Sequence, residues 1–399
     1  MESDSMLNEK FKRQEHEKDT EVKMGLWSQM KTWFILHLII GYIFIVSGLI
    51  VTFLMLCSCV IWPFNKHLYR KVNVLLAYSH WCHFTFLAQW WSGSDCLLHV
   101  SEEDLNMIGK EHVLVIMNHK YDIDWLMAWI LAERFGMLGG TKIYGKEMLK
   151  YVPLIGWAWY FTESIFLKRK WESDRKTLVE DLQRVTDYPD DYWVTLLLFP
   201  EGTRFTESKH KASLEVSRAK GYKDMKHHLL PRPKGFILSI NGLRGKIPTI
   251  LDLTIGFDQA GPEPTLMNIL QGKPLSSRLR VRRINLESVP VDTDAHCAEW
   301  LRNLFHEKDE IYDHFVQTNT FEGKGYHKPR RVQDLIFFLM WAVITCVPLF
   351  HYLGGIFLSG SLTQQLIFVG VVAIASVGVR MMIAVTEIKQ GSEYGKKEN

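Results

Sequence analysis

Several of the commonest catalytic signatures are missing from this chain. It contains no G-x-S-x-G elbow, no P-loop, no G-x-G-x-x-G and no H-E-x-x-H. Serine-hydrolase, nucleotide-binding and zinc-protease readings therefore have no motif to rest on. His16–Glu17 and His306–Glu307 open like the last of these but lack the second histidine. Cysteine is sparse, with six in 399 residues and no C-x-x-C. Cys57, Cys59 and Cys346 lie in apolar runs, and Cys82, Cys96 and Cys297 stand alone. That pattern argues against a disulfide framework and against structural zinc, and reads as free thiols facing a reducing compartment. Net charge is slight: 47 Lys and Arg against 44 Asp and Glu give +3. With no RNP, zinc-finger or basic-zipper pattern beside it, that balance speaks against a nucleic-acid partner.

Charge is absent from one long stretch. After a charged, nearly balanced tail at 1–32, no Asp, Glu, Lys or Arg occurs from Trp33 to Phe64, and His37 alone is ionisable. At ~1.5 Å per helical residue this run exceeds the ~30 Å hydrocarbon core of a bilayer. It either spans once with tilt or turns back within the membrane, and it is too long and starts too deep for a cleavable signal. The aromatic-rich segment 67–91 that follows reads equally as an interfacial helix or as a buried helix of a soluble domain; 33–91 is taken together as the N-terminal membrane-embedded or interfacial region. Two further apolar runs, 335–358 and 362–385, are joined by uncharged S-G-S. Lys324, Lys328, Arg330 and Arg331 precede the first, and Arg380 and Lys389 mark the end of the second. Positive flanks and a neutral connector predict a transmembrane hairpin over 335–385 with both ends on the cytoplasmic side. The tail 386–399 closes on K-K-E-N, similar to the dilysine retrieval signal of endoplasmic-reticulum membrane proteins.

The middle of the chain, 92–325, has the composition of a soluble domain. V-L-V-I-M (113–117), I-F-L-K (165–168), W-V-T-L-L-L-F (193–199) and P-T-I-L-D-L-T-I (248–255) are short apolar runs bounded by turn or polar residues, as buried strands are. Helical patterns at 171–185 and 294–305 lie between and after them. Alternating strands and helices predict an α/β fold, a sheet flanked by helices with its reactive loops at strand ends.

A histidine five residues before an aspartate occurs twice, at His99/Asp104 and at His119/Asp124. Spacing alone separates nothing. His119 directly follows the strand pattern V-L-V-I-M and precedes a helical one, whereas S-E-E-D beside His99 supplies no catalytic partner. Asn118 is suited to fixing the loop by side-chain hydrogen bonds, and Asp122 to capping the helix that follows. Just after another strand pattern comes F-P-E-G-T-R at 199–204, where Pro and Gly shape a turn and Arg204 offers a forked donor for phosphate.

N-H-K-Y-D-I-D followed by F-P-E-G-T-R resembles the glycerolipid acyltransferase family, whose members share an N-H-x4-D block and an F-P-E-G-T-R block. Residues 146–171 look like the family's second block, 228–236 like a later one, and the resemblance covers most of 24–385. Two departures stand out. Lys120–Ile123 replace the serine many members carry inside the first block, and I-P-T-I-L-D-L at 247–253 matches the fourth only loosely. The resemblance implies a mixed sheet flanked by helices and transfer of an acyl group from acyl-CoA, a co-substrate rather than a cofactor, to a lysophospholipid hydroxyl, with lysophosphatidic acid as the leading acceptor. It implies no metal, a lipid bilayer as partner, and an endoplasmic-reticulum membrane location with the catalytic domain cytosolic. His119 would be the base and Asp124 its orienting partner. Glu201, Gly202, Thr203 and Arg204 would form the acceptor pocket, with Arg204 on the phosphate. Lys168 and Arg169 are candidates for phosphate on the acceptor or on CoA, Arg232 and Lys234 are weaker ones for the same task, and Asn118 is a weaker site candidate through its loop. The alternatives are an acceptor with another head group, such as inositol or glycerol, and a non-catalytic lipid-binding membrane protein.

Overall fold

A computed structural model describes residues 26–168, 171–188 and 192–386. Its centre is one eight-stranded sheet in the order β4-β3-β5-β2-β6-β7-β1-β8. The strands are β1 (Asp95–His99), β2 (Val113–Met117), β3 (Thr141–Lys146), β4 (Ile165–Leu167), β5 (Thr195–Leu198), β6 (Thr249–Phe257), β7 (Ser276–Asn285) and β8 (Gly325–Tyr326). From β4 through β6 all neighbours are parallel; β7 runs antiparallel to β6, and β1 is parallel to β7. β2 and β1 thus point in opposite directions, and their C-terminal ends lie on opposite edges of the sheet.

Every residue of β2 and of β5 is buried, as a strand covered on both faces requires. Val113, Val115 and Met117 face one core with the helix Asp124–Arg134; Leu114 and Ile116 face a second core with Leu182, Phe236 and Leu301. The result is a three-layer arrangement, with the helices Trp171–Thr186, Pro233–Leu243 and Asp294–Thr318 on the second face.

The uncharged N-terminal run forms a single helix, Phe34–Ser58, continued by a short 3-10 turn, Cys59–Ile61. The chain reverses only after it, through Trp62–Asn65, where Asn65 caps the next helix by accepting from Leu68 N–H. Phe34–Ile61 and Gln333–Ser359 are long and apolar enough to cross a membrane. A second C-terminal helix, Leu362–Thr386, follows Gly360 and Ser361. The segment 67–91 is largely buried within the protein, with helix Lys66–Phe86 packed chiefly on the two membrane-length helices. Helix Lys66–Phe86 buries Arg70, Asn73, His80 and His83 as well as its apolar residues. Arg70 binds Glu163 at 2.8 Å and Asp187 at 2.9 Å, clamping this helix to the sheet domain. At the other junction, Asp334 accepts from Gln89 Nε2 and Trp90 Nε1, each at 2.9 Å, and so fixes the start of the C-terminal apolar helix. The charged tail up to residue 25 and the dilysine end lie outside the described residues.

Candidate active site

β2 and β5 are parallel neighbours, paired from Val113/Thr195 to Ile116/Leu198. Their following loops, 118–123 and 199–206, therefore leave the same edge side by side, which brings together two motifs 82 residues apart. Asn118 extends the ladder beyond β2. Its Nδ2 donates to Ile255 O at 3.2 Å and its Oδ1 accepts from Ile255 N–H at 2.8 Å, copying a backbone pair with β6. Asn118 is 1% exposed, so it positions the loop rather than facing a ligand.

His119 comes next, with Nδ1 3.1 Å from Asp124 Oδ2. Asp124 opens the helix Asp124–Arg134 and is fully buried, while the His119 side chain keeps 22% of its surface. The same Oδ2 accepts the N–H groups of Lys120 at 2.6 Å and Tyr121 at 2.8 Å. Three donors converging on one oxygen hold the carboxylate, and through it the imidazole, in one orientation. The ring also stacks on Phe199, with centroids 4.2 Å apart and planes 24° from parallel. With Nδ1 directed at the buried acid, proton chemistry falls to Nε2.

Glu201 joins the two motifs. Its Oε1 accepts from His119 N–H at 2.9 Å and its Oε2 from Leu229 N–H at 3.0 Å. At 1% exposure, with both oxygens engaged, it cross-links three loops beneath the site, which corrects its expected place in an acceptor pocket. Burial pushes its carboxyl up to about 8, against the opposing pull of the two N–H bonds. Phe205 N–H donates to His119 O at 2.8 Å and completes the connection.

Asp122 does not cap the helix, contrary to expectation. The N-cap is Ile123, without a side-chain bond, because the Asp122 carboxylate turns instead to the Arg204 guanidinium as an ion pair. Gly202 adopts φ +70°, where a side chain would be strained, and a Cβ there would come within 3.0 Å of Arg232. Thr203 Oγ1 accepts from Lys209 Nζ at 2.8 Å.

Residues 98–237, which include His119, Asp124, Glu201, Arg204 and Leu229, match the Acyltransferase family model, and 268–341 match Acyltransferase C-terminus. The chain is 47% identical over 375 residues to 1-acyl-sn-glycerol-3-phosphate acyltransferase gamma of Mus musculus, covering 94% of this chain and 99% of that one. It is 46% identical to the gamma protein of Homo sapiens over the same shares. Against 1-acyl-sn-glycerol-3-phosphate acyltransferase delta of Bos taurus the identity is 45% over 376 residues, 94% of this chain and 98% of the relative. The chain belongs to the 1-acyl-sn-glycerol-3-phosphate acyltransferase family.

In this acyltransferase the remaining candidates spread along the same edge of the sheet. Lys168 follows β4, three strands from β2, or roughly 14 Å at ~4.8 Å per strand. Its side chain is half exposed and stands 3.8 Å from Glu147. Arg169 lies outside the described residues. Arg232 donates its N–H to Pro200 O at 2.7 Å, which seats it beside the F-P-E-G-T-R turn, and Lys234 is exposed on the first turn of the next helix. Two participants were not named as site residues from the sequence, although the first lies in the family-like segment 228–236. Leu229 supplies a backbone N–H to Glu201, and Tyr312, from the C-terminal family segment, lies 4.9 Å beneath the Lys120 ammonium. Among the described residues no group of three or more His, Cys, Asp or Glu is placed to hold a metal ion.

Proposed function

We propose that this acyltransferase moves an acyl group from acyl-CoA to the sn-2 hydroxyl of lysophosphatidic acid, giving phosphatidic acid and CoA. The observation that carries the proposal is the partly exposed His119 ring held at Nδ1 by a wholly buried Asp124. A neutral hydroxyl is a weak nucleophile, so its proton must leave as the C–O bond forms. His119 Nε2 takes that proton, the task of a general base that imidazole fills most often. Asp124 fixes the tautomer and stabilises the imidazolium. The hydroxyl oxygen attacks the thioester carbonyl, the C–S bond breaks, and His119 returns the proton to the departing CoA thiolate. Neither a cofactor nor an acyl-enzyme enters this sequence. Arg204 receives the acceptor phosphate, with Lys168 further along the edge for a phosphate of the acceptor or of CoA, a role for which Arg169 is a candidate by sequence alone.

The enzyme works at a membrane, which we assign to the endoplasmic reticulum with the catalytic edge on the cytosolic side. Support for the membrane comes from the two membrane-length helices and from Met148, Tyr151, Val152 and Tyr160, large side chains exposed on the 3-10 turn, loop and short helix Ile155–Phe161 that follow β3. Such a patch next to the site lets a lipid acceptor reach His119 from the bilayer. The test is CoA release by the purified protein in lipid vesicles with acyl-CoA, with and without lysophosphatidic acid. Phosphatidic acid should accumulate in step with free CoA; CoA release that the acceptor does not accelerate rejects the assignment.

A further inference from the structure

Helix Asp294–Thr318 belongs to the C-terminal family segment, 268–341, and takes no part in the proton transfer assigned to His119. It is nevertheless pinned to the sheet close to the reactive edge. Lys308, 0% exposed, donates from Nζ to Leu253 O in β6 at 2.6 Å and pairs with the buried Asp252 carboxylate. The next residue, Asp309, gathers donors much as Asp124 does. Its Oδ2 accepts from Lys226 N–H at 2.7 Å, and its Oδ1 from His227 N–H at 2.8 Å and His228 Nδ1 at 2.9 Å. A second histidine–aspartate pair thus stands behind the first, with His228 2% and Asp309 7% exposed.

The segment held in this way leads straight to the reacting histidine. Leu229, next to His228, donates its N–H to Glu201 Oε2 at 3.0 Å, and Glu201 Oε1 receives His119 N–H at 2.9 Å. Burial opposes ionisation of Asp309, but the bonds from His228 and from the two N–H groups hold its carboxyl down at about 2, so it stays charged across the neutral range. Burial also keeps the His228 ring below the ordinary imidazole range, so it is neutral there and donates through Nδ1–H. The same helix touches the catalytic loop directly, because the Lys120 ammonium lies 4.9 Å from the ring of Tyr312.

We propose that Asp309 is a positioning residue for the acyl transfer, fixing His119 through His228, Leu229 and Glu201. This deepens the acyl-transfer reading above and rests on it. Asp309 touches no substrate and moves no proton; its part is geometric. A general base must sit within hydrogen-bond reach of the hydroxyl it deprotonates, and a displacement of about 1 Å costs up to ~10²-fold in rate. Glu201 is held between two N–H groups, and the one from Leu229 is placed by the turn that Asp309 closes. The mount is firm because Lys308 ties the same helical turn to β6. The C-terminal family segment thereby acts on the catalytic histidine of the N-terminal one, and the Lys120–Tyr312 contact adds a second tie between them.

The experiment measures kcat and KM for CoA release from acyl-CoA with lysophosphatidic acid in wild type, Asp309→Asn, Glu201→Gln and the double variant. Asparagine keeps one oxygen for the His227 and His228 donors but turns an amide NH2 onto the Lys226 N–H, so the turn shifts. In Asp309→Asn kcat should fall by about tenfold or more, with KM for both substrates within about twofold of wild type. The double variant should fall no further than the less active single variant, because both substitutions break one link. Losses that multiply overturn the proposal, as do an unchanged kcat and a loss confined to KM. Asp313→Asn is the control: it frees the Lys226 and His227 side chains but leaves their N–H bonds, so kcat should stay within about twofold, and a loss equal to that of Asp309→Asn overturns the proposal. If Asp309→Asn does not fold, His228→Leu and His228→Asn decide. Loss of the ring donor should lower kcat by about threefold or more, and asparagine, whose amide N–H can stand near Nδ1, should restore it. Equal loss in both, or loss in neither, overturns the proposal. All of these leave acyl transfer standing, whereas no CoA release by wild type rejects both readings.

Discussion

His99 and His119 stand at the same distance before an aspartate, and the fold treats them oppositely. β1 ends at His99 on one edge of the sheet and β2 delivers His119 to the other, because the two strands run in opposite directions. His99 directs Nδ1 at Gly323 O, 3.3 Å away, and packs edge-on to Phe321. Asp104 accepts from Arg283 N–H at 3.1 Å and serves β7 rather than a histidine. Asp124, by contrast, gathers three donors on one oxygen and leaves the His119 ring partly exposed. A His-x4-Asp spacing becomes a hydrogen-bonded pair suited to proton transfer when a tight loop between a strand end and a helix start folds the acid back onto the imidazole. The same spacing across a short surface helix is only structure.

The sharpest way to break this comparison is mutation of both histidines. His119→Ala should lower kcat for CoA release by about 10³–10⁴-fold, and Asp124→Asn, which disturbs the tautomer and the loop N–H bonds, by about 10³-fold. Equal losses from His119→Ala and His99→Ala would erase the distinction. Glu201→Gln comes next. One amide oxygen cannot receive both the His119 and Leu229 N–H groups, so the loops shift and kcat falls by about 10–100-fold with little change in KM. The same residue gives a pH test of stability. Its folded pKa, about 8 against an ordinary 4.5, means the native state binds more protons than the unfolded chain between those values. Stability should therefore decline as pH rises through that window and level off above it. Denaturation series at stepped pH should show the decline flattened in Glu201→Gln, and an unaltered slope would mean that Glu201 is ionised throughout. The smallest expected effect is that of His99→Ala, with kcat within about twofold of wild type and a loss of about 1–2 kcal/mol in stability from a buried truncation.

The strands next to the chemistry were legible because they are buried on both faces and read as unbroken apolar runs. V-L-V-I-M is β2 to the residue, and β4, β5 and β6 lie within or nearly within their expected runs. β7 was missed although it alternates: Leu279 and Val281 face the core while Arg278, Arg280 and Arg282 take the other face, and the charges hid a strand of period two. The helix expected over 294–305 extends to Thr318 because its second half, with Tyr312 and Phe315, covers the end of β6 near the site.

The sequence by itself determined the family and the apolar runs, and it singled out His119 and Asp124 as candidates, since strand pattern and paired motifs are local and dense. Only the tertiary structure decided what the neighbouring groups do. Glu201 turns inward because backbone N–H groups from two other loops meet there, and Asp122 turns from the helix to Arg204 because parallel pairing of β2 and β5 sets the two loops side by side. Lys66–Phe86 is buried because Arg70 finds its carboxylates across the sheet domain. Those partners lie between 28 and 117 residues away, at 28 for Leu229, 82 for Arg204 and 117 for Asp187. Hydrophobic periodicity reports which way a residue faces, but a polar side chain's partner is set by where the chain returns.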